Sequence, residues 1–379
     1  MTTLRVVLDQ VVAPVPGGTG RYAEELTRHL IDTAPAGCDV AGIVPASSAE
    51  DYGRINDLLP GLSGLHKTLL PRNALSVAWQ LGLSPLMGKN MVHSPDLLAP
   101  LGRHDRLNNV GDQTVVTIHD MVAWTHPETM SPRAVVWNKM MVRRAHRYAD
   151  AVVVPTHLVG EQLASVLNFG DRIRIIGGAV SSKLALPVDA DSRAATLDLP
   201  REYLLSVGTL EPRKGLTALI QSLAHPESVD LPLLIVGPEG WGDLNVAAIA
   251  AEAGLAEGRV RALGFLADAD LAVVLDRATV FVFPSLAEGF GLPVIEAFHF
   301  GTPVVHSDAP AVLEVAAGAG VTVARDEPAG YPERLATTIA SVVGDAARCR
   351  RLRTTGLDRA KAFSWKDSAE RVWQLHADL

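Results

Sequence analysis

The sequence predicts an α/β protein made of two consecutive doubly wound units. Three observations predict it. Short apolar runs alternate with helix-period segments from end to end, the pattern of parallel sheets wrapped by helices. The chain has 379 residues, enough for two domains that each bury a core. The alternation stops once, across Gly177–Pro200, where Ser181, Ser182, Pro187, Asp189 and Asp191 read as a linker; it then restarts.

In chain order, the first unit offers strands at Leu4–Leu8, Val40–Val44, Met91–His93, Val115–His119, Ala151–Val154 and Ile173–Ile176. Helices fit Gly20–Leu30, Ala74–Leu81, Pro132–Tyr148 and His157–Leu167, the last with Thr156 as N-cap. In the second unit, strands fit Tyr203–Val207, Leu233–Val236, Val260–Leu263, Val280–Phe283, Val304–His306 and Val321–Val323. From Pro332 onward the chain reads as helical. Ligands of such folds sit outside the carboxyl ends of the strands, so the crevice between the units is the expected site.

Composition narrows the function. The net charge is −8, so nucleic acid is not an expected partner. The charge is uneven: residues 1–185 carry 17 basic and 16 acidic side chains, while 186–379 carry 17 and 26. The first half is therefore the better suited to approach an anionic surface. Two cysteines, Cys38 and Cys349, make no disulfide framework and no metal-binding spacing, and a reducing compartment is expected. No signal peptide is read, and the charge-free stretch Asn73–Gly88, at 16 residues, is too short to span a bilayer. The expected location is cytoplasmic.

The segment running from Phe281 to Gly301 carries the chemistry. It reads as a strand, a glycine-bearing turn and a helix with Pro293 in its first turn and Gly301 at its end. Gly289 and Gly291 allow close approach of backbone to a ligand, and the free N–H groups of the helix start favour an anion. Glu288 and Glu296 flank that anion site. Carboxylates repel phosphate but accept hydrogen bonds from sugar hydroxyls, so the combination describes a sugar nucleotide. Taken singly, each glutamate also reads as a solvated charge.

Glu288 and Glu296, with seven residues between them, resemble the E-x7-E motif of retaining glycosyltransferases of family 4. The segment Ser206–Gly215 resembles that family's phosphate-binding segment, and Gly17–Tyr22 its N-terminal glycine loop. His119-Asp120 followed by His126-Pro127-Glu128 resembles its first-domain histidine region, and Trp365 fits before the last helix. The resemblance implies the GT-B architecture, two Rossmann-like domains facing across a cleft. It implies an acceptor-binding domain over 1–185, a nucleotide-sugar domain over 186–360 and a C-terminal helix over 361–379 that crosses back onto the first domain.

It also implies roles. Lys214 and Arg213 contact the departing diphosphate, although many relatives place an arginine where this chain has Thr209. His119 contacts the transferred sugar, with His126 as the alternative. Gly17, Gly18, Gly208, Glu288, Gly289, Phe290, Gly291, Leu292 and Glu296 bind the donor. No metal or other cofactor is expected, since Asp268 and Asp270 are explained by a helix start.

The activity implied is retaining transfer of a hexose from a nucleoside diphosphate sugar to a glycan or lipid-linked acceptor. GDP-mannose comes first, ahead of UDP-hexoses and dTDP-rhamnose, because Val236–Trp241 and the Thr-Leu-Glu-Pro-Arg-Lys segment resemble the mannosyl and rhamnosyl branches. The alternatives are a non-catalytic sugar-nucleotide-binding subunit and a GT-B epimerase. Helix Pro132–Tyr148, with Arg133, Lys139, Arg143, Arg144 and Arg147, reads either as a scaffold helix with a solvated basic face or as a peripheral contact with the inner membrane face.

Overall fold

The computed structural model describes residues 2–13, 17–83, 91–105, 108–109, 111–242 and 244–379. Residues 84–88 of the charge-free stretch lie outside them. The chain divides into two compact units, Met1–Gly178 with Ser364–Leu379, and Ala179–Phe363.

The first unit holds seven parallel strands: β1 (Thr2–Val7), β2 (Cys38–Val44), β3 (Leu65–Lys67), β4 (Met91–Ser94), β5 (Gln113–Thr117), β6 (Ala151–Val154) and β7 (Ile173–Ile175). Their order is β3-β2-β1-β4-β5-β6-β7, so the winding reverses between β1 and β4. Edge strand β3, Leu-His-Lys, has no apolar run and is not legible as a strand. It forms because β2 offers a free edge: Gly42, Ile43 and Val44 register with Leu65, His66 and Lys67. The second unit holds β8 (Leu204–Val207), β9 (Leu233–Val236), β10 (Val260–Gly264), β11 (Val280–Phe283), β12 (Val304–Ser307) and β13 (Val321–Val323). They run in order β10-β9-β8-β11-β12-β13, reversing between β8 and β11.

Strand β11 shows why these runs read as nearly continuous apolar sequence. Phe281 and Phe283 enter the core on one face of the sheet, Val280 and Val282 that on the other, as alternate side chains must. All four are at most 2% exposed.

Three expectations need correction. Gly17 and Gly18 open helix Gly17–Asp32 instead of preceding it, although Gly17 keeps a left-handed φ of 59°. His119 lies two residues beyond β5, which ends at Thr117. The stretch 177–200 contains helix Ala190–Thr196, pinned by Arg193, whose Nε and Nη1 lie 2.8 Å from Asp189 Oδ1 and Asp270 Oδ1. Alanine is the strongest helix former, and the linker's Ser and Asp content masks the alanines at 190, 194 and 195.

The last helix, Trp365–Asp378, belongs to the first unit and packs on helix Gly17–Asp32. Trp373 Nε1 donates to Leu30 O at 3.0 Å, and Ser368 Oγ to Gly177 O at 2.8 Å. No helix among the described residues is long and apolar enough to cross a membrane.

Candidate functional site

In the second unit the site grows from the two strands at the reversal. Strand β8 leads through Gly208 to the 3-10 turn Pro212–Lys214. Strand β11 leads through Pro284 and Ser285 to Glu288, Gly291 and helix Leu292–His299. Because β8 and β11 are neighbours, segments some 74 residues apart in sequence meet at one edge of the sheet. Ligands of open α/β sheets bind at such a reversal.

Gly215 makes the meeting possible. Its φ is +66°, and a Cβ there would sit 2.2 Å from Pro284 O. Only glycine lets the Arg-Lys turn lie against the β11 end. Lys214's aliphatic stem packs over Gly208, its Cδ and Cε 3.4 Å from where a Cβ would stand.

The turn delivers two cations onto Glu288. Lys214 Nζ donates to Glu288 Oε1 at 2.6 Å, and Arg213 Nη1 to Glu288 Oε2 at 2.9 Å. Ser285 Oγ also donates to Oε1, at 2.5 Å. Arg213 is held in turn by Glu211 Oε1 at 2.7 Å and by Ala287 O at 2.8 Å. Burial alone would raise the Glu288 carboxyl, yet Arg213 and Lys214 hold it at about 2. Burial lowers the Lys214 pKa, against the pull of Glu288.

Helix Leu292–His299 starts from Gly291, whose φ of +96° gives the chain its sharp entry. Pro293 sits in the first turn, where a missing N–H leaves no gap in the ladder. Gly289 is buried and Phe290 half-buried, its ring edge-on to Phe363 with centroids 5.6 Å apart. Glu296 is 3% exposed, inside the helix and not on a solvated face. Gly301, with φ +67°, ends the helix as expected from the sequence.

In the first unit, His119 lines a cavity of about 890 Å³ that also touches Gln10, Asp96 and Trp137. His119 Nε2 lies 2.7 Å from Pro95 O, so this nitrogen carries the donated hydrogen. Burial lowers its pKa, opposed by that carbonyl and by Asp96 and Asp120. Behind it the Tyr22 ring stands edge-on at 4.7 Å, and Trp365 stands edge-on to Tyr22 at 5.3 Å. His126 does not line this cavity. Gly17 and Gly18 are exposed at the start of their helix.

The structure thus brings Gly208, Arg213, Lys214 and Glu288 together in one unit, and places His119 in the other. Sequence reading missed Ser285 and Glu211 as partners of the cluster, and Asp96 and Arg72 on the cavity that His119 lines, with Asp9 held by Arg72. Asp9 and Asp96 carried a usable signal, because each follows the carboxyl end of a strand, as His119 does. Arg72 carried none. Among the described residues no group of three or more His, Cys, Asp or Glu side chains could hold a metal ion.

Comparison with known proteins agrees with this layout. Residues 16–183 match the model of "Glycosyltransferase Family 4", and residues 188–359 that of "Glycosyl transferases group 1". The chain belongs to glycosyltransferase family 4. Its two parallel-sheet units are the Rossmann-like domains of the GT-B fold. This glycosyltransferase is 29% identical to the O-antigen chain mannosyltransferase B of Escherichia coli, over 92% of this chain and 93% of that one. It is 27% identical to a D-inositol 3-phosphate glycosyltransferase of a Nocardioides species, over 97% and 87%. A structure of Anabaena HepE in complex with UDP and glucose shares the fold, with a TM-score of 0.75 at 16% identity over the whole of both chains.

Proposed function

We propose that this glycosyltransferase moves a hexose, mannose first, from a nucleoside diphosphate sugar to an acceptor hydroxyl with retention of configuration, in polysaccharide, glycan or glycolipid synthesis. The observation that carries the reading is the Lys214–Glu288–Arg213 cluster beside the N-terminus of helix Leu292–His299. Two half-buried cations and a helix start favour the negative charge that develops on a departing diphosphate. The name of the E. coli relative supports mannose, and the UDP held by HepE supports a nucleoside diphosphate.

Charge and proton must balance. As the sugar–phosphate bond breaks, its electron pair goes to the diphosphate, which Lys214, Arg213 and the helix amides stabilise. The acceptor oxygen attacks the anomeric carbon from the face that the diphosphate leaves. A diphosphate oxygen takes the acceptor's proton. Glu288 and His119 then serve to position the sugar and Glu296 the nucleotide, so the protein contributes placement and charge more than a general base. The relatives' names leave the acceptor open between a saccharide chain and a phosphorylated polyol. Cytoplasmic placement, with helix Pro132–Tyr148 touching the inner membrane face, completes the proposal; Arg133, Arg143 and Arg147 on it are exposed.

Calorimetric titration with GDP, UDP and dTDP, followed by turnover of the matching sugar donor, tests this reading. GDP should bind tightest and GDP-mannose should turn over with the α-anomer in the product. UDP or dTDP tighter than GDP by about tenfold, some 1.4 kcal/mol, would remove mannose from first place.

A further inference from the structure

The turn that carries Glu288 lies between β11 and helix Leu292–His299 and belongs to neither. Pro284, Ser285 and Ala287 on it are nevertheless buried. A buried carbonyl outside a ladder needs a donor from elsewhere, because leaving it unpaired costs its desolvation in full. Side chains supply the donors at four successive carbonyls: Pro284 O accepts from Tyr331 Oη at 3.2 Å, Ser285 O from Ser307 Oγ at 2.6 Å, Leu286 O from Arg325 Nη1, and Ala287 O from Arg213 Nη1 at 2.8 Å. The Leu286 amide donates to Arg213 O at 2.8 Å.

Arg213 is already part of the cluster on Glu288. The other three donors come from the strands beyond β11 in the sheet. Ser307 ends β12, Arg325 lies just past the end of β13, and Tyr331 opens helix Tyr331–Val343. Arg325 is aimed by Asp308, whose Oδ1 accepts from its Nε at 2.5 Å. Asp308 is itself tied to β13, since its amide donates to Val323 O at 3.0 Å. A guanidinium that gives one N–H to a carboxylate and another to a carbonyl is fixed in position and in plane.

The braced stretch carries both Glu288 and one of its donors. Ser285 accepts at its carbonyl from Ser307 and gives its own Oγ to Glu288 Oε1 at 2.5 Å. Slack in the turn would therefore shift the carboxylate and Ser285 together relative to Lys214 and Arg213. Glu288 is a buried anion, compensated only while those cations stay at hydrogen-bond distance. We propose that Arg325, Tyr331 and Ser307 are positioning residues of the transfer reaction, which brace the backbone of 284–287 so that Glu288 stays seated against Lys214 and Arg213. Groups of a reacting site must be held to within about 0.5 Å, and three side-chain bonds to consecutive carbonyls give that stiffness to a segment with no ladder of its own. Asp308 acts one step further out, by orienting Arg325. The inference rests on the role proposed above for the cluster; the brace itself rests on the hydrogen bonds alone.

The experiment pairs donor turnover by the full chain with hydrogen exchange at the Leu286 amide. Arg325→Ala should lower kcat about tenfold and leave the donor Michaelis constant nearly unaltered, as misplacement of a reacting group does. Arg325→Lys, which keeps the charge without the fork, should fall between Arg325→Ala and wild type. Exchange at Leu286 should quicken by about tenfold or more in Arg325→Ala, because the turn opens more readily. The decisive comparison is Arg325→Ala in a Glu288→Gln background. There it should cost less than about twofold further, since a residue that acts through Glu288 has nothing left to position, whereas a general folding defect would multiply in full. If Arg325→Ala does not fold, Ser307→Ala and Tyr331→Phe, each removing one hydroxyl, carry the same measurements. Wild-type turnover in folded Arg325→Ala overturns the proposal, as does a full tenfold loss in the Glu288→Gln background. Wild-type exchange at Leu286 in the folded variants overturns the brace. Wild-type turnover in Glu288→Gln, with quickened exchange in Arg325→Ala, supports the brace and overturns the role given to the cluster.

Discussion

Glu288 is the residue on which the proposed donor site turns, because Lys214, Arg213 and Ser285 all donate to its carboxylate. Lys214→Ala should lower turnover on the order of 10²-fold at saturating donor, the cost of one preorganised contact to developing charge. Unchanged turnover would show that the diphosphate departs elsewhere. Glu296→Ala should act differently. The contact to the nucleotide proposed for it would exist before and during reaction, so its loss should raise the donor Michaelis constant and leave kcat nearly unaltered. A third residue reports on stability instead of catalysis. His104 Nε2 sits 2.8 Å from Asp150 Oδ2, and that bond, opposed by burial and aided by Gly102 O, raises the imidazole pKa from 6.5 to about 9. A folded pKa above the unfolded one gives stability that is full below pH 6.5 and lost as pH climbs through about 9. The pair is partly solvated, so its worth is roughly 1 kcal/mol. Melting curves of wild type and His104→Ala should differ at pH 6 and converge by pH 10; a constant gap would refute the linkage.

At the level of elements, two glycine-led turns shape the proposed donor site and separate two kinds of constraint. Gly215 needs glycine for its φ of +66° and for space, since a methyl carbon on it would stand only 2.2 Å from Pro284 O. Gly291 needs it for φ alone: at +96° the nearest atom to such a carbon, Phe283 Cε1, is 3.6 Å away. Gly291→Ala should therefore cost about 1–2 kcal/mol from the strained conformation. Gly215→Ala should cost clearly more, since the Pro212–Lys214 turn must move off the β11 end. That movement pulls Lys214 and Arg213 from Glu288, so its turnover should fall with its stability. Denaturant unfolding of the two variants checks the order, and equal losses would mean that the backbone absorbs the Gly215 clash.

On the scale of the whole molecule, the chain builds its first unit from two distant pieces and its second from one. The helix Trp365–Asp378 closes the first unit through the Trp373–Leu30 bond, and its His376 Nδ1 lies 3.0 Å from Gln113 Oε1 of β5. Trp373 is 6% exposed, and Trp373→Ala should cost about 3–5 kcal/mol. A fragment of residues 179–363, one continuous stretch, should fold by itself and bind the nucleotide. Residues 1–178 without 364–379 should not give a cooperative melt, because the helix Gly17–Asp32 would lose its covering partner. Circular dichroism of the two fragments separates these outcomes, and a cooperative transition in 1–178 alone would show the last helix to be dispensable.

Local order was legible in the sequence. The apolar runs at Ala151–Val154, Leu233–Val236 and Val280–Phe283 coincide with β6, β9 and β11, because strands buried on both faces leave a nearly continuous run of apolar residues. Thr156 caps its helix as read, accepting from the Val159 amide. The spacing of Glu288 and Glu296 around a glycine turn was equally local. What the tertiary structure decided is long-range. Strand order placed β8 beside β11 and so set Lys214 on Glu288, and it placed β1 beside β4 and so put Asp9 near Asp96. The edge strand β3 and the helix inside 177–200 formed on partners that their own residues do not announce. A sequence records each side chain's local period and chemistry; which charges meet is decided by which strand ends lie side by side, and that is a property of the folded sheet.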